Sequence, residues 1–422
     1  MSDPIQTGGT RERTASTRGA GFLPPILFAV ALAIALSVVI ASLRSAARDA
    51  NSDDGYYLFY MQKVKQGGLA AFPELFDLWN ADPVRWIYPP PSRIGFAVVS
   101  ALWAGIFGAT LDALQYLSIA AYIASSLVTY VLARRHLGEP RALFVGVLWV
   151  FSPLLMGLSR LALTDSFIAL CMVSTTWLFY ELVLRPDSWR ARIAFVAVFT
   201  FTVLVKELSV LLLVPFRAFL LVERFVRRTP LKLSTFALCF VASGVVAFPL
   251  FVAAAGSLSK LLETTRIVLA SPATNDYAVK YGSGPWFRYL VDYLLLSPAT
   301  TLLAIGYLGV LLSRWRRGEY DRLTTFLAIV AVVMIAQYSF FTKNIRYAVL
   351  FELPICVFAV LMLGEIAGGT SARATAICAV AVVFLAWLGW STFDLYWVRY
   401  HGYDPVTYWL AGMRHVIPFP VR

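Results

Sequence analysis

Four short polar segments of this 422-residue chain combine carboxylates, cations and tyrosines, and each borders an apolar run. In the first, Ser52 can cap a helix whose first turn holds Asp53 and Asp54 and whose next residues include Tyr56 and Tyr57. A carboxylate can accept a proton from a reacting group, and cations can stabilise an anionic one. The segments are therefore candidates for group-transfer chemistry, and they comprise residues 51–57, 159–165, 206–207 and 343–347.

Each segment also has a purely structural explanation. Residues 51–65 would form a capped interfacial helix, Asp165 would cap the helix that follows it, and Lys206 and Glu207 would pair with each other. Residues 343–347 would be a solvated turn. An ionisable residue at the start of an apolar helix is costly without a partner or a role, which favours the functional interpretation for Asp165.

The composition places these segments in a membrane protein. Hydrophobic residues make up 59% of the chain and charged residues 14%, and the mean hydropathy is +0.71. Soluble domains are about 45–50% apolar and roughly 25% charged. An ordinary soluble enzyme, a disordered chain and a nucleic-acid-binding module are thereby excluded. The three His lack metal-ligand spacing and the four Cys lie in apolar runs, so neither a zinc site nor a disulfide framework is expected.

The apolar runs predict a polytopic all-α bundle. Residues 1–20 are polar and aperiodic, which predicts a disordered cytoplasmic tail. Residues 22–43 can span about 33 Å as a helix, enough for an uncleaved first crossing. The further runs are 94–108, 113–133, 142–158, 164–184, 193–205, 208–222, 233–255, 297–313, 323–341, 346–363 and 373–392.

Four clusters of basic residues orient these runs. They lie at 134–141, 185–192, 224–232 and 314–322, and the positive-inside rule places them in the cytoplasm. With the N-terminus inside, the loops 44–112 and 256–296 are external. Only one crossing then fits before the first basic cluster, so we expect 94–108 to be interfacial and eleven other runs to cross. All four polar segments fall on the outer face.

The order of the motifs resembles the GT-C polyprenyl-phosphate-sugar-dependent glycosyltransferases. The chain is most similar to the branch that contains protein O-mannosyltransferases and the lipid A aminoarabinose transferase, over roughly residues 20–365. The matching features are the acidic pair with aromatic residues, Tyr88-Pro89-Pro90, Arg160-x-x-x-Thr164-Asp165, Lys206-Glu207 and Arg346-Tyr347.

The resemblance implies a domain plan and a role for each matching residue. Residues 21–365 would form a transmembrane catalytic module with interfacial helices in its large first external loop, and 366–422 the last crossing and a short external tail. Asp53 would be the catalytic carboxylate, accompanied by Asp54 and Asp165. Many relatives carry Lys or His before the Pro-Pro, where Tyr88 stands here, so arginines would replace that cation. The donor phosphate would bind Arg85, Arg93, Lys206 and Arg346, and the substrates would contact Tyr57, Tyr88, Arg160, Glu207 and Tyr347.

The implied function is transfer of a sugar from a polyprenyl phosphate to a lipid, glycan or protein acceptor at the outer face of the plasma membrane. Inversion at the anomeric carbon is expected by analogy with the family. A Mg²⁺ or Mn²⁺ ion shared by Asp53 and Asp165 is compatible with their oxygen ligands. The alternative is a transporter or lipid-linked-sugar flippase. Transporters usually place ionisable groups near the midplane in paired repeats, and this sequence has neither, which favours an enzyme.

Overall fold

The computed structural model describes residues 22–43, 52–274, 279, 282, 284–341, 343–369 and 371–399. The predicted tails, 1–20 and the residues after 399, lie outside this part of the chain. Throughout the described residues the secondary structure is helical and there is no strand. The predicted all-α class is confirmed.

The α-helices follow the predicted apolar runs closely. They are α1 Leu23–Ala41, α2 Asp53–Gly67, α3 Phe72–Asn80, α4 Ile94–Phe107, α5 Leu111–Leu137, α6 Arg141–Val150, α7 Pro153–Ser159, α8 Asp165–Leu184, α9 Trp189–Val205, α10 Leu213–Leu221, α11 Leu233–Ala255, α12 Leu258–Thr274, α13 Arg288–Leu296, α14 Pro298–Arg316, α15 Arg322–Tyr338, α16 Glu352–Ile366 and α17 Ala372–Phe393. Short 3₁₀ segments cover Gly68–Ala71, Pro83–Ile87, Glu207–Leu212 and Ile345–Phe351.

Fewer of these helices than predicted are long and apolar enough to cross a membrane alone. In the described part of the chain six segments meet that criterion, and a seventh is added if α6 and α7, bent by 52°, form one span. The other runs predicted to cross form helices that do not meet this criterion alone. They are α9 and α15, each of 17 residues, the short α10, and α14, whose last turn is basic. Helix α4 has only 14 residues, and its interfacial position stays a prediction. The six segments are α1, α5, α8, α11, 345–366 and 372–399.

Helix α8 is the centre of the bundle and carries Asp165 at its first residue. Most of its side chains are buried between α5, α9 and the 3₁₀ segment 345–351. Near the far end of α8, Phe179 stacks on Phe216 with ring centroids 4.0 Å apart, and neighbouring phenylalanines extend this cluster. Buried aromatic rings bring large apolar areas out of contact with water or lipid headgroups, which anchors the helix ends firmly.

The acids and the basic clusters lie at opposite ends of this bundle. Helix α8 has 20 residues and therefore separates its two ends by about 30 Å. Asp165 is at one end, and Glu181, one turn from the other end, lies 2.9 Å from the Arg135 guanidinium. Arg322 similarly pairs with Glu223 at 2.7 Å. This separation is the one that the charge pattern of the sequence predicts.

Two helices of the first predicted external loop lie side by side below the acidic pair. The rings of Tyr57 in α2 and Phe96 in α4 meet with centroids 5.1 Å apart, and Lys65 donates to the Ala104 carbonyl at 3.0 Å. Gly95 lets α4 approach α9 closely, since a Cβ there would lie 3.0 Å from Val205. This packing sets Asp53, the first residue of α2, and Arg93, the residue before α4, on the same side of the bundle.

Candidate active site

A cavity of about 540 Å³ lies at the Asp165 end of the bundle. Helix α2, the start of α8, the turn between α9 and α10 and the segment 343–347 all contribute to its wall. The cavity therefore brings together all four polar segments singled out from the sequence. Its predicted site residues are Asp53, Asp54, Tyr57, Tyr88, Arg93, Asp165, Lys206, Glu207, Arg346 and Tyr347.

The acidic pair is held at the start of α2 by the predicted helix cap. The Ser52 hydroxyl accepts a 3.2 Å hydrogen bond from the Gly55 amide, and Asp53 and Asp54 occupy the first turn. Burial, followed by the neighbouring charge of Asp53, raises the pKa of Asp54 from 3.8 to about 6.

Arg346 connects the two acids that are farthest apart in the sequence. Its Nη2 donates to Asp53 Oδ2 at 3.0 Å, and its Nη1 lies 3.7 Å from Asp165 Oδ2. A planar guanidinium can serve two carboxylates at once, which an ammonium group cannot do in the same geometry. Asp53 and Asp165 therefore lie in one pocket.

The neighbouring residues Lys206 and Glu207 do not pair with each other, contrary to the structural explanation considered from the sequence. Lys206 has an extended backbone and Glu207 starts a 3₁₀ segment, so their side chains diverge. The Lys206 Nζ lies 3.3 Å from Asp165 Oδ1 and 4.5 Å from the centre of the Tyr347 ring. Glu207 Oε2 lies 4.0 Å from Arg93 Nε instead.

Arg93 completes this charge network through Tyr57. Its Nη1 donates to the Tyr57 hydroxyl, which also forms a 3.1 Å hydrogen bond with Thr164 Oγ1. Thr164 is thereby engaged away from the backbone of α8 and does not cap that helix with its side chain. The Tyr88 ring stacks on Tyr56 with centroids 4.2 Å apart, which fixes the wall next to Pro89 and Pro90.

Two predicted site residues do not line the cavity. Arg85 Nε donates to Asp82 at 3.1 Å on a partly exposed 3₁₀ turn. Arg160 points into the bundle, where it donates to the Trp397 carbonyl at 2.7 Å and to the Ser42 carbonyl. Arg160 thus connects the residue that follows α1 with the segment that follows α17, and its substrate role stays a prediction from the resemblance.

The cavity also contains residues that the sequence reasoning did not include as site residues. Lys343 and Asn344 line it, as do Trp79 and Trp86 from the first predicted external loop. Asn344 accepts a 3.0 Å hydrogen bond from the Arg346 amide and so caps the 3₁₀ segment that begins at Ile345. In the sequence, the polar segment 343–347 pointed to Lys343, whereas no pattern pointed to the two tryptophans.

The residues present do not fit a divalent cation shared by Asp53 and Asp165, because the Arg346 guanidinium lies between the two carboxylates. Among the described residues, no group of three or more His, Cys, Asp or Glu side chains could hold a metal ion. No chemical step at these acids is therefore assigned to a Mg²⁺ or Mn²⁺ ion.

Comparisons with known proteins agree with the sequence resemblance. Residues 91–255, less than half of the chain, match the family model described as dolichyl-phosphate-mannose-protein mannosyltransferase. No curated protein matches the chain.

Two solved structures resemble the whole bundle. ArnT from Cupriavidus metallidurans bound to undecaprenyl phosphate superposes with a TM-score of 0.58 at 16% identity, over 89% of this chain and 77% of ArnT. The apo state of ArnT gives a TM-score of 0.57 at 16% identity, over 88% and 76% of the two chains. The chain therefore has the fold of ArnT, and the match to the mannosyltransferase family model agrees with the GT-C resemblance of its sequence motifs.

Proposed function

We propose that this protein transfers a sugar from a polyprenyl-phosphate donor to an acceptor at the outer face of the plasma membrane. The observation that carries the proposal is the Arg346 guanidinium, which lies against both Asp53 and Asp165 in one cavity at the acidic end of the bundle. The structural likeness to ArnT, a protein solved with undecaprenyl phosphate, supports a polyprenyl-phosphate ligand. The N-terminus is cytoplasmic in this proposal.

Asp53 is the proposed catalytic base. Its side chain is 29% exposed, whereas the Asp165 side chain is 5% exposed and is enclosed by Lys206 and Arg346. Asp53 is therefore the carboxylate that an acceptor hydroxyl can reach, and Asp165 is the group that holds the two cations in place. A positioned base of this kind contributes about 10²- to 10⁴-fold to a reaction rate.

The reaction is a single displacement at the anomeric carbon. The acceptor hydroxyl gives its proton to Asp53 while its oxygen forms a bond with the anomeric carbon. The bond between that carbon and the phosphate oxygen breaks, and its electron pair leaves with the polyprenyl phosphate. Attack opposite the leaving group inverts the configuration.

The leaving phosphate requires cations directed at it. Arg346, Lys206 and Arg93 all line the cavity and are held by Asp53, Asp165 and Glu207. Cations preorganised by the fold stabilise developing negative charge without a cost of reorientation. Lipid, glycan and protein hydroxyls are the acceptor classes that suit this chemistry.

The test compares the wild-type protein with Asp53→Asn in nanodiscs. The donors are pentoses and hexoses that are radiolabelled and linked to undecaprenyl phosphate. A bacterial membrane extract is the source of acceptors. We expect release of undecaprenyl phosphate and labelled product with the wild-type protein, and a loss of about 10²- to 10⁴-fold with Asp53→Asn. Asp77→Asn, at an ion pair with Lys260 outside the cavity, is the matched control.

A transporter or flippase remains the second candidate, and one measurement separates it from an enzyme. If liposomes containing the protein move a lipid-linked sugar between leaflets while no sugar is transferred to any acceptor, the transferase proposal is wrong. Equal transfer by the wild-type protein and Asp53→Asn would contradict the assignment of Asp53 as the base.

A further inference from the structure

The cations of the cavity differ in how many acids neutralise them. Arg346 lies against Asp53 and Asp165, Lys206 lies 3.3 Å from Asp165, and Arg93 lies 4.0 Å from Glu207. Lys343 also lines the cavity, yet no carboxylate among the described residues pairs with its Nζ. Its ammonium group is thus the cation with no assigned anion.

The backbone holds Lys343 firmly at the cavity wall. Its amide donates a 2.8 Å hydrogen bond to the Gly282 carbonyl, and the residue is only 8% exposed. The next residue, Asn344, accepts from the Arg346 amide at 3.0 Å. Lys343 and Arg346 thus lie on either side of the Asn344 cap, and both positions are fixed by backbone hydrogen bonds.

Within the described part of the chain, no acid is an electrostatic neighbour of Lys343. The charged neighbour that affects it is Arg288, and burial together with this like charge lowers the pKa of Lys343 below its ordinary value. The nearest acid along that helix, Asp292, is buried and lies 3.9 Å from Arg288 Nε. An anion bound in the cavity would supply the negative charge that the described residues do not place next to Lys343.

The proposed reaction produces such an anion. The phosphodiester of the donor carries one negative charge, whereas the released phosphomonoester has a second pKa near 6 and carries about −1.5 to −2 at neutral pH. The site must therefore accommodate additional negative charge as the glycosidic bond breaks. The positive charges of Arg346, Lys206 and Arg93 are already balanced by nearby acids. The Lys343 ammonium is therefore the group whose positive charge can balance the negative charge that develops on the phosphate.

We propose that Lys343 binds the phosphate of the polyprenyl leaving group and supplies the cation for which the sequence resemblance offered Arg85 or Arg93. This inference rests on the proposed function. In this proposal the Lys343 ammonium contacts the phosphate directly. The competing candidate for this contact is Arg85, whose side chain is turned towards Asp82.

The test measures binding of two lipids to the purified full-length protein in nanodiscs at about pH 7.5. The probes are undecaprenyl phosphate and undecaprenol, which share the polyprenyl chain and differ in the phosphate. The variants are Lys343→Met, which keeps most of the side-chain length, Lys343→Arg, which keeps the charge, and Arg85→Met as the control. Lys343→Gln replaces Lys343→Met if the latter does not fold.

We expect Lys343→Met to bind undecaprenyl phosphate about 10- to 100-fold more weakly than the wild-type protein, as loss of a charge-assisted hydrogen bond does. Undecaprenol binding stays unchanged, Lys343→Arg recovers most of the affinity, and Arg85→Met behaves like the wild-type protein.

Two outcomes separate this inference from the proposed function. If the wild-type protein binds undecaprenyl phosphate no better than undecaprenol, the proposed function itself fails. If the wild-type protein prefers undecaprenyl phosphate and Lys343→Met keeps that preference in full, only the assignment of Lys343 is overturned. A loss confined to Arg85→Met would restore the competing assignment.

Discussion

Arg346 donates a 3.0 Å hydrogen bond to Asp53, although the two residues stand near opposite ends of the sequence. The first helix after the α1 crossing and the late 3₁₀ segment at 345–351 are joined by this contact. Because Asp165 lies 3.7 Å from the same guanidinium, the beginning of α8 is included as well. The cavity is consequently a product of the complete bundle.

The bridging geometry of Arg346 predicts that a lysine cannot replace it. Lys343 and Lys206 show that the cavity already accepts ammonium groups, but one ammonium cannot hold both carboxylates in the geometry of a planar guanidinium. We expect Arg346→Lys to reduce sugar transfer about 10- to 100-fold and Arg346→Met about 100- to 1,000-fold, the range for loss of a preorganised charge-stabilising group. Transfer is measured from radiolabelled donor at saturating concentration.

A matched arginine is available as the control. Arg314 pairs with Glu365 at 2.8 Å at the end of the bundle away from the cavity, so Arg314→Lys is expected to leave transfer unchanged. Full activity of Arg346→Lys would show that charge alone suffices and that the bridge between the two acids is dispensable.

The raised pKa of Asp54 predicts that this residue destabilises the folded protein as pH increases. Its pKa is 3.8 in the unfolded chain and about 6 in the fold, so the unfolded chain loses the proton first. The free-energy cost of ionising Asp54 in the fold is absent below pH 3.8. It grows as pH rises from 3.8 through about 6 and is constant above that range. Asp54→Asn removes it, which corresponds to a gain on the order of 2–3 kcal/mol above that window.

Thermal unfolding of the wild-type protein and Asp54→Asn in the same detergent measures this effect. The difference in melting temperature is expected to be near zero at about pH 4 and to favour the variant at about pH 7.5. A difference that is independent of pH would mean that the carboxyl group of Asp54 titrates normally in the fold.

Arg160 is predicted to be a structural residue. It donates to the Trp397 carbonyl at 2.7 Å and to the Ser42 carbonyl, and its side chain does not line the cavity. Loss of buried hydrogen bonds from a charged donor costs about 1–3 kcal/mol for each group left without a partner. We expect Arg160→Met to lower the melting temperature while the affinity for undecaprenyl phosphate stays within about twofold.

A decrease in lipid affinity without loss of stability would place Arg160 in the site after all. Arg190→Met is the control for charge removal, since Arg190 contacts the Trp189 ring at the start of α9 and belongs to the opposite end of the bundle. We expect that variant to change neither property.

The sequence predicts which end of the bundle carries the four polar segments, because hydropathy and the position of basic residues are properties of the chain alone. Asp53, Asp165, Lys206 and Arg346 were expected on one face, and they meet in one cavity. Lengths of crossing helices were less predictable. Of the two apolar runs predicted at 193–205 and 208–222, the first ends at Val205 as α9 does, whereas the 3₁₀ segment Glu207–Leu212 takes up the start of the second and leaves α10 only nine residues.

Side-chain direction could not be predicted from the sequence. Arg85 and Arg160 stand in suitable chain positions, yet one turns to a neighbouring carboxylate and the other to backbone carbonyls that come from distant segments. Lys343 precedes Arg346 by only three residues, and its place in the cavity depends on the Gly282 carbonyl. Such contacts are fixed by tertiary packing and leave no local pattern in the chain.

Helix α17 packs closely against the bend between α6 and α7 at Gly389. A Cβ built at Gly389 in α17 would lie 2.2 Å from the Phe151 carbonyl oxygen, at the bend between α6 and α7. Backbone cannot move aside as a flexible side chain can, so Gly389→Ala is expected to cost about 1–3 kcal/mol and to lower the melting temperature.

The matched variant is Gly244→Ala in α11, where a Cβ would meet nothing within 4 Å. There the substitution only improves helix propensity, and we expect a gain of up to about 1 kcal/mol. Opposite signs for the two variants in the same detergent would confirm that α17 seats directly on the α6–α7 bend. If Gly389→Ala were as stable as Gly244→Ala, α17 and the α6–α7 bend would have to lie farther apart than the contact at Gly389 requires.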